Sequence, residues 1–284
     1  MVCLSEEQIV YEDDALIVLH KPAGVAVESA WVTQPDLVSL LKTYLQQGGD
    51  TRQAGRDSDV RQTGRSSDAR QTGRNSGGQP PAVYTIHRLD QVVEGLVVFA
   101  KTKDAAGRLS AQLTDGTMQK QYLARVCGAP FKAGRARAEE GGAPAEESGT
   151  LTDYLVKDRK LNVARVVTKD AAAGKKKGRD GAPQKAVLHY RRISEDELLI
   201  DLVTGRFHQI RAQLAHAGMP IVGDVKYGAP QDDASAGAGG RRARGQIALC
   251  AVCLSFVHPV TKERLTFRCE PSGALFGSGA RQGA

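Results

Sequence analysis

"HRLDQVVEGLVVFAKT", residues 87–102, runs from a charged tetrapeptide into a nearly pure apolar segment within five residues. Val97, Val98 and Phe99, opened by Gly95-Leu96, have the composition of a core strand. Asp90 therefore lies where a loop opens into that strand, a common perch for a functional side chain. The competing reading is a loop aspartate that only caps backbone amides.

Working outward, 9–29 (IVYEDDALIVLHKPAGVAVES) reads as strand, turn and strand, ending in a Pro/Gly loop. DLVSLLKTYLQ (36–46) has a helical stripe with Asp36 as N-cap. Beyond the opening stretch, DAAGRLSAQLTDG reads as a helix and KQYLARVCG as a strand. LTDYLVKD and NVARVVT form a hairpin pattern; VLHYRRI and ELLIDLVTG are strands joined by a short acidic turn. RFHQIRAQLAHAG (206–218) places Ile210, Leu214 and Ala217 on one helical face, with Gly218 as C-cap. QIALCAVCLSFV and RLTFRCE are the last strands. Strands outnumber helices and short turns dominate. The expected class is α+β: a mixed, mainly antiparallel sheet with flanking helices.

Between these elements the composition changes. Residues 52–78 carry three copies of a nine-residue unit, RQAGRDSDV, RQTGRSSDA and RQTGRNSGG, with almost no large apolar side chain. Such a segment cannot bury enough surface to offset its ordering entropy, and each copy lacks the core face a solenoid needs. The expectation is a single domain over 1–284, with disordered insertions at 48–80, 131–149, 170–184 and 229–244 and a loose tail at 272–284.

At 284 residues the chain is long enough for a sizeable core. No apolar run approaches the ~18 residues of a membrane span. The acidic start lacks an apolar secretory core, so a cytoplasmic protein without membrane association is expected. The net charge of +7 is compatible with a polyanionic partner, but much of it lies in the soft insertions. Five scattered cysteines argue against a disulfide framework. Cys250-x-x-Cys253 lies within a strand pattern, and no second ligand pair at metal spacing follows. These cysteines read as buried small hydrophobes, and no metal is expected.

A second polar cluster opens the helix at 206–218. Arg206, His208, Gln209 and Arg211 crowd its first turns, where polar groups could face a phosphate or carboxylate. His208 and His216 are about 80° apart around a helix, a poor metal pair. His87 reads as a hydrogen-bonded structural histidine. No phosphate-binding, dinucleotide, nucleophile-elbow or zinc-protease motif occurs, so cofactor-dependent redox and phosphoryl transfer have no support, and no cofactor is expected.

Together these stretches resemble the RluA-type pseudouridine synthase family. The resemblance is carried, in order, by five stretches. They are Lys21-Pro22-Ala23-Gly24, His87-Arg88-Leu89-Asp90 with Gly95-Leu96, and Lys120-x-Tyr122-Leu123-Ala124. Thr204-Gly205-Arg206-x-His208-Gln209-Ile210-Arg211 follows, running on to Gly223-Asp224 and Tyr227-Gly228. Phe256-x-His258-Pro259 is the last. The resemblance implies the pseudouridine synthase fold with a central catalytic cleft, and isomerisation of uridine to pseudouridine in RNA. It implies Asp90 as nucleophile, at the sugar C1′ or at the pyrimidine ring, on a flipped-out base. Arg211 would pair with Asp90, and Tyr122 would pack on the uracil. Arg88 and Arg206 are the further candidates for RNA contact. Ribosomal RNA is the first expected target and transfer RNA the second, with the chain acting as a monomer.

Two residues depart from the family pattern. Glu94 stands where a small hydroxyl residue is usual, and is expected to face outward, because a second carboxylate beside Asp90 would raise its pKa. Cys250 stands where a histidine is common. No N-terminal RNA-binding domain of the S4 kind is expected, since the first motif comes almost at once. Two rival readings remain. One is a non-catalytic RNA-binding protein on a synthase scaffold. The other is a metal-dependent nuclease, whose activity, unlike that of a synthase, would be lost to a chelator.

Overall fold

The computed structural model describes residues 4–29, 34, 36–47, 81–127, 148–168, 181–230, 246–272 and 274–276. The nine-residue repeats, and most of the other expected insertions, lie outside the described residues.

Eleven strands form one sheet in the order β1-β2-β4-β10-β5-β9-β8-β6-β7, with β3 paired to β4 and β11 to β10. The strands are β1 (Ile9–Glu12), β2 (Leu16–Lys21), β3 (Tyr84–Thr85), β4 (Glu94–Ala100), β5 (Gln119–Arg125) and β6 (Ser148–Asp158). They continue with β7 (Val163–Val167), β8 (Gln184–Arg192), β9 (Glu197–Leu202), β10 (Leu249–Val257) and β11 (Arg264–Arg268). Among the described strands, β4 with β10 is the parallel pair and the other pairings are antiparallel. The α+β expectation holds: a mixed, mainly antiparallel sheet carries a few helices.

Strand β4 is buried at every residue, which explains its lack of polar alternation: it is covered on both faces. Val97 and Phe99 join the larger core cluster with Leu37, Leu41, Tyr122 and Ile210. Leu96, Val98 and Ala100 join the smaller one with Ala105, Leu109 and Phe256. Helix α1 (Leu37–Gln46) covers the first face, and Asp36 caps it by accepting from the Ser39 amide at 2.7 Å. Helix α2 (Lys103–Asp115) covers the second, capped by Thr102. Gly95 is required where it stands. Its φ is +118°, and a Cβ there would meet the backbone of Ala251, in the parallel neighbour β10, at 2.4 Å.

Helix α3 (Gln209–His216) is shorter than its pattern suggested and differs in character. Gln209 through Leu214 are all buried, polar residues included, so it is no amphipathic surface helix. Gln209 and Gln213 donate to carbonyls of β8, and Arg211 turns to two carboxylates. Gly218, at φ +77°, ends it as expected.

Two further expectations need correction. The segment from 272 is not uniformly loose. Phe276 is buried, the Leu275 carbonyl accepts from Arg125 Nη1 at 3.0 Å, and Ser272 donates to Glu94 Oε2 at 2.8 Å. Glu94 faces inward, only 3% exposed. The Phe256-x-His258-Pro259 motif is structural: His258 Nε2 donates to Asp13 Oδ2 at 2.7 Å, and Nδ1 accepts from the Val260 and Thr261 amides. That ties the end of β10 to the turn between β1 and β2.

Candidate active site

Asp90 stands in the loop before β4, over the middle of the sheet. A turn bond from the Val93 amide to its carbonyl shapes that loop, and Lys21 fixes it from below. Lys21 is fully buried, and its ammonium donates to the carbonyls of Pro22, Val25 and Gln91 at 3.0, 2.8 and 3.1 Å. Those bonds fasten the Pro/Gly loop of 22–25 to the residue after Asp90. Burial lowers the Lys21 pKa to about 8, against the pull of Asp90 and Glu94. Lys21→Met removes the ammonium from the Pro22, Val25 and Gln91 carbonyls, of which Gln91 keeps its bond from the Gly24 amide. We expect a loss of about 1–3 kcal/mol in urea unfolding, moderated by removal of a desolvated charge.

Arg211 on α3 is 5% exposed and reaches two carboxylates. Nε and Nη2 donate to the two oxygens of Asp224 at 2.7 and 2.8 Å, a bidentate fork. Nη1 donates to Asp90 Oδ2 at 3.1 Å. Burial opposes the Arg211 charge, but the bonds to Asp224 and Asp90 outweigh it and the pKa rises. The guanidinium also lies 4.9 Å from the Tyr227 ring centroid.

The second neighbour of Asp90 is His208, whose Nε2 is 3.6 Å from Asp90 Oδ2. This histidine adopts a left-handed backbone, φ +49°, at the N-cap of α3, and its ring stacks on Phe207 with centroids 3.8 Å apart. Burial, then Arg211 and Lys226, push its pKa down to about 3, so it is neutral. The Tyr227 hydroxyl lies 2.8 Å from His208 Nδ1 and accepts from the Ala164 amide at 2.7 Å. The bond to Tyr227 orients the His208 ring so that its Nε2 edge faces Asp90.

Asp90 itself is held by opposing forces. Burial raises its pKa; Arg211, Lys21 and Lys226 lower it, and burial wins. The cation moderates the shift without reversing it, so the carboxylate is more basic than a free aspartate. Tyr122 on β5 is 6% exposed and close enough for Asp90 to act on it. Burial, then Asp90, push the phenol further up, which keeps it neutral.

The fold therefore brings together Asp90, Arg211 and Tyr122. It does not bring Arg88 or Arg206 to the carboxylate. Arg88 is exposed and pairs loosely with Glu28 at 3.8 Å. Arg206 is exposed, and its Nε donates to the Lys185 carbonyl. His87 accepts from the Val98 amide, the structural role expected of it. Glu94 acts on Lys21, His20, Cys250 and Cys269, whereas the charges acting on Asp90 are Arg211, Lys21 and Lys226. Asp224, Tyr227, His208 and Lys21 complete the site, although composition and periodicity assigned them no role beside Asp90. Asp224 is thirteen positions from Arg211, beyond the end of the helix, so no helical spacing signals the fork.

A family model described as RNA pseudouridylate synthase matches residues 15–216. The tRNA pseudouridine synthase C of Pasteurella multocida is 27% identical over 275 residues, 91% of this chain and 89% of that protein. Its namesake from Pectobacterium carotovorum is longer, and this chain spans 58% of it. The ribosomal large subunit pseudouridine synthase D of Zymomonas mobilis is 29% identical over 268 residues, 93% of this chain and 68% of that protein. Among solved structures, human RNA pseudouridylate synthase domain containing 4 superposes with a TM-score of 0.59 at 22% identity. That match covers 93% of this chain and 88% of the human one, a likeness of fold. The order of motifs, the fold and a family match across most of the chain agree, and the chain belongs to the RluA-type RNA pseudouridine synthases, a family of isomerases.

Proposed function

We propose that this chain converts specific uridines in RNA to pseudouridine, with Asp90 as the nucleophile on a base turned out of the stack. The reading rests on one observation: a desolvated carboxylate bonded to the buried Arg211 at 3.1 Å, on the face that holds Tyr122. The reaction breaks the N1–C1′ bond, forms a C5–C1′ bond and moves the C5 proton, so composition and oxidation state do not change. Attack by Asp90 at C1′ or at the pyrimidine ring requires the ionised carboxylate, and a more basic one is the better nucleophile. Arg211, Lys21 and Lys226 oppose the rise in pKa that burial causes and so favour the ionised form that attack needs. Asp224 fixes the guanidinium in two directions, and Tyr227 fixes the His208 ring.

Tyr122 serves as a packing ring for the displaced uracil, an interaction worth roughly 1–3 kcal/mol. Its neutral phenol is unsuited to act as a pre-ionised base. Tyr122→Phe is expected to keep most RNA binding in a filter-binding titration. Equal losses of binding and rate would argue against packing.

A non-catalytic RNA binder gains nothing from a buried carboxylate that repels the phosphate backbone. Chemical mapping of pseudouridine in cellular RNA, with and without this gene, tests the proposal. A site that vanishes identifies the substrate; if none vanishes, the non-catalytic reading stands. Ribosomal RNA is the first place to look and transfer RNA the second, and the named relatives include enzymes of both kinds.

A further inference from the structure

Beside the site, the sheet gathers a second set of side chains that the proposed chemistry does not use. His20 lies near the end of β2, Cys250 near the start of β10, and Cys269 directly after β11. One ligand atom from each lies within 4.8 Å of the other two. Cys250 is fully buried, while His20 and Cys269 are partly so. His20 Nε2 is buried and, among the described residues, has no hydrogen-bond partner. The Cys269 thiol lies 3.4 Å from the Ala251 carbonyl and also contacts the Cys250 and His20 side chains.

The two departures from the family pattern meet here. Glu94 and Cys250 are register partners across the parallel pair β4–β10. The Glu94 carboxylate acts electrostatically on His20, Cys250 and Cys269, and Ser272 holds its Oε2 at 2.8 Å. Two sulfurs and one imidazole nitrogen, with a carboxylate charge nearby, suit a borderline-soft, tetrahedral cation. With bonds of about 2.3 Å to sulfur and 2.1 Å to nitrogen, ligand atoms of such a site stand roughly 3.6–3.8 Å apart. The observed separations reach this by a contraction of ~1 Å at most.

We propose that His20, Cys250 and Cys269 form a three-ligand structural binding site for a zinc-class divalent metal ion, with Glu94 as a neighbouring negative charge and water in the fourth position. The ion would clamp the segment after β11 to β2 and β10. It stands apart from the reaction: the synthase reading could fail with this site intact, and the reverse. Binding releases the two thiol protons to solvent, and no electron is transferred.

The test uses the full chain purified under reducing conditions, with metal content measured by mass spectrometry. We expect about one zinc per chain. Cobalt reconstitution should give tetrahedral visible bands and a sulfur-to-cobalt band in the near ultraviolet. Cys250→Ser and Cys269→Ser should each weaken zinc binding at least ~10-fold, whereas Cys253→Ser, in the same strand, should not. Should Cys250→Ser fail to fold, Cys269→Ser at its partly exposed position carries the test. Reduced protein that takes up neither zinc nor cobalt would overturn the proposal, as would zinc retained by Cys269→Ser. A Cys250–Cys269 disulfide in alkylated, metal-free protein would also overturn it and make the pair a redox couple.

Discussion

Asp90→Asn is expected to lower pseudouridine formation by about four orders of magnitude while the protein stays folded and binds RNA. Asparagine keeps the shape and removes the nucleophilic charge. The rate is read by tritium release from RNA labelled at uridine C5. Substantial turnover by the variant would end the nucleophile assignment. Stability should move the other way. Because burial raises the folded-state pKa of Asp90 above its ordinary value, the ionised form is the disfavoured one in the fold. The associated stability is present at low pH and is lost as pH rises through the folded pKa. Above the folded pKa the wild-type protein bears that cost and the Asn variant does not, so there its urea midpoint should equal or exceed wild type. The same shift sets the acid limb of the rate profile. Activity should fall, as pH drops, around a value higher than that of a free aspartate, and this limb should be assigned to Asp90.

The second large effect is on Arg211. Arg211→Met removes the guanidinium from Asp224, which is 1% exposed, and from Asp90, and so leaves carboxylates without their cation. We expect a cost of about 3–5 kcal/mol in urea unfolding, together with loss of activity. Arg211→Lys should rescue little, because an ammonium cannot fork onto Asp224 while reaching Asp90. Adding Asp224→Leu to Arg211→Met should recover part of the stability, since it removes the stranded charge. No recovery would mean that Asp224 is held by something other than Arg211.

How far the site could be read from the chain depends on the range of each interaction. Asp90, Arg211 and Tyr122 could be named because each sits in a local motif, beside a glycine, a strand or a helix start. Arg88 lies in the same tetrapeptide as Asp90, yet it points to Glu28 and solvent, because neighbouring residues in an extended loop face different ways. Arg206 precedes α3 and turns to the Lys185 carbonyl. Glu94 was expected outside on charge grounds alone. Its place beside Cys250 follows from strand pairing, and its neighbours, Ser272 and Cys269, come from the end of the chain.

The amino-acid sequence by itself determined the main strands and helices, the Asp36 cap, the glycine stop at 218, and the family. These depend on periodicity, backbone freedom and motifs a few residues long. Only the tertiary structure decided which charges act on Asp90, that Asp224 shares its arginine, that His208 is neutral with its Nε2 toward the carboxylate, and that His20 meets Cys250 and Cys269. Each of these arises from burial and from contacts between distant segments. Desolvation and Coulomb forces depend on distance in space, which the order of residues along the chain does not set.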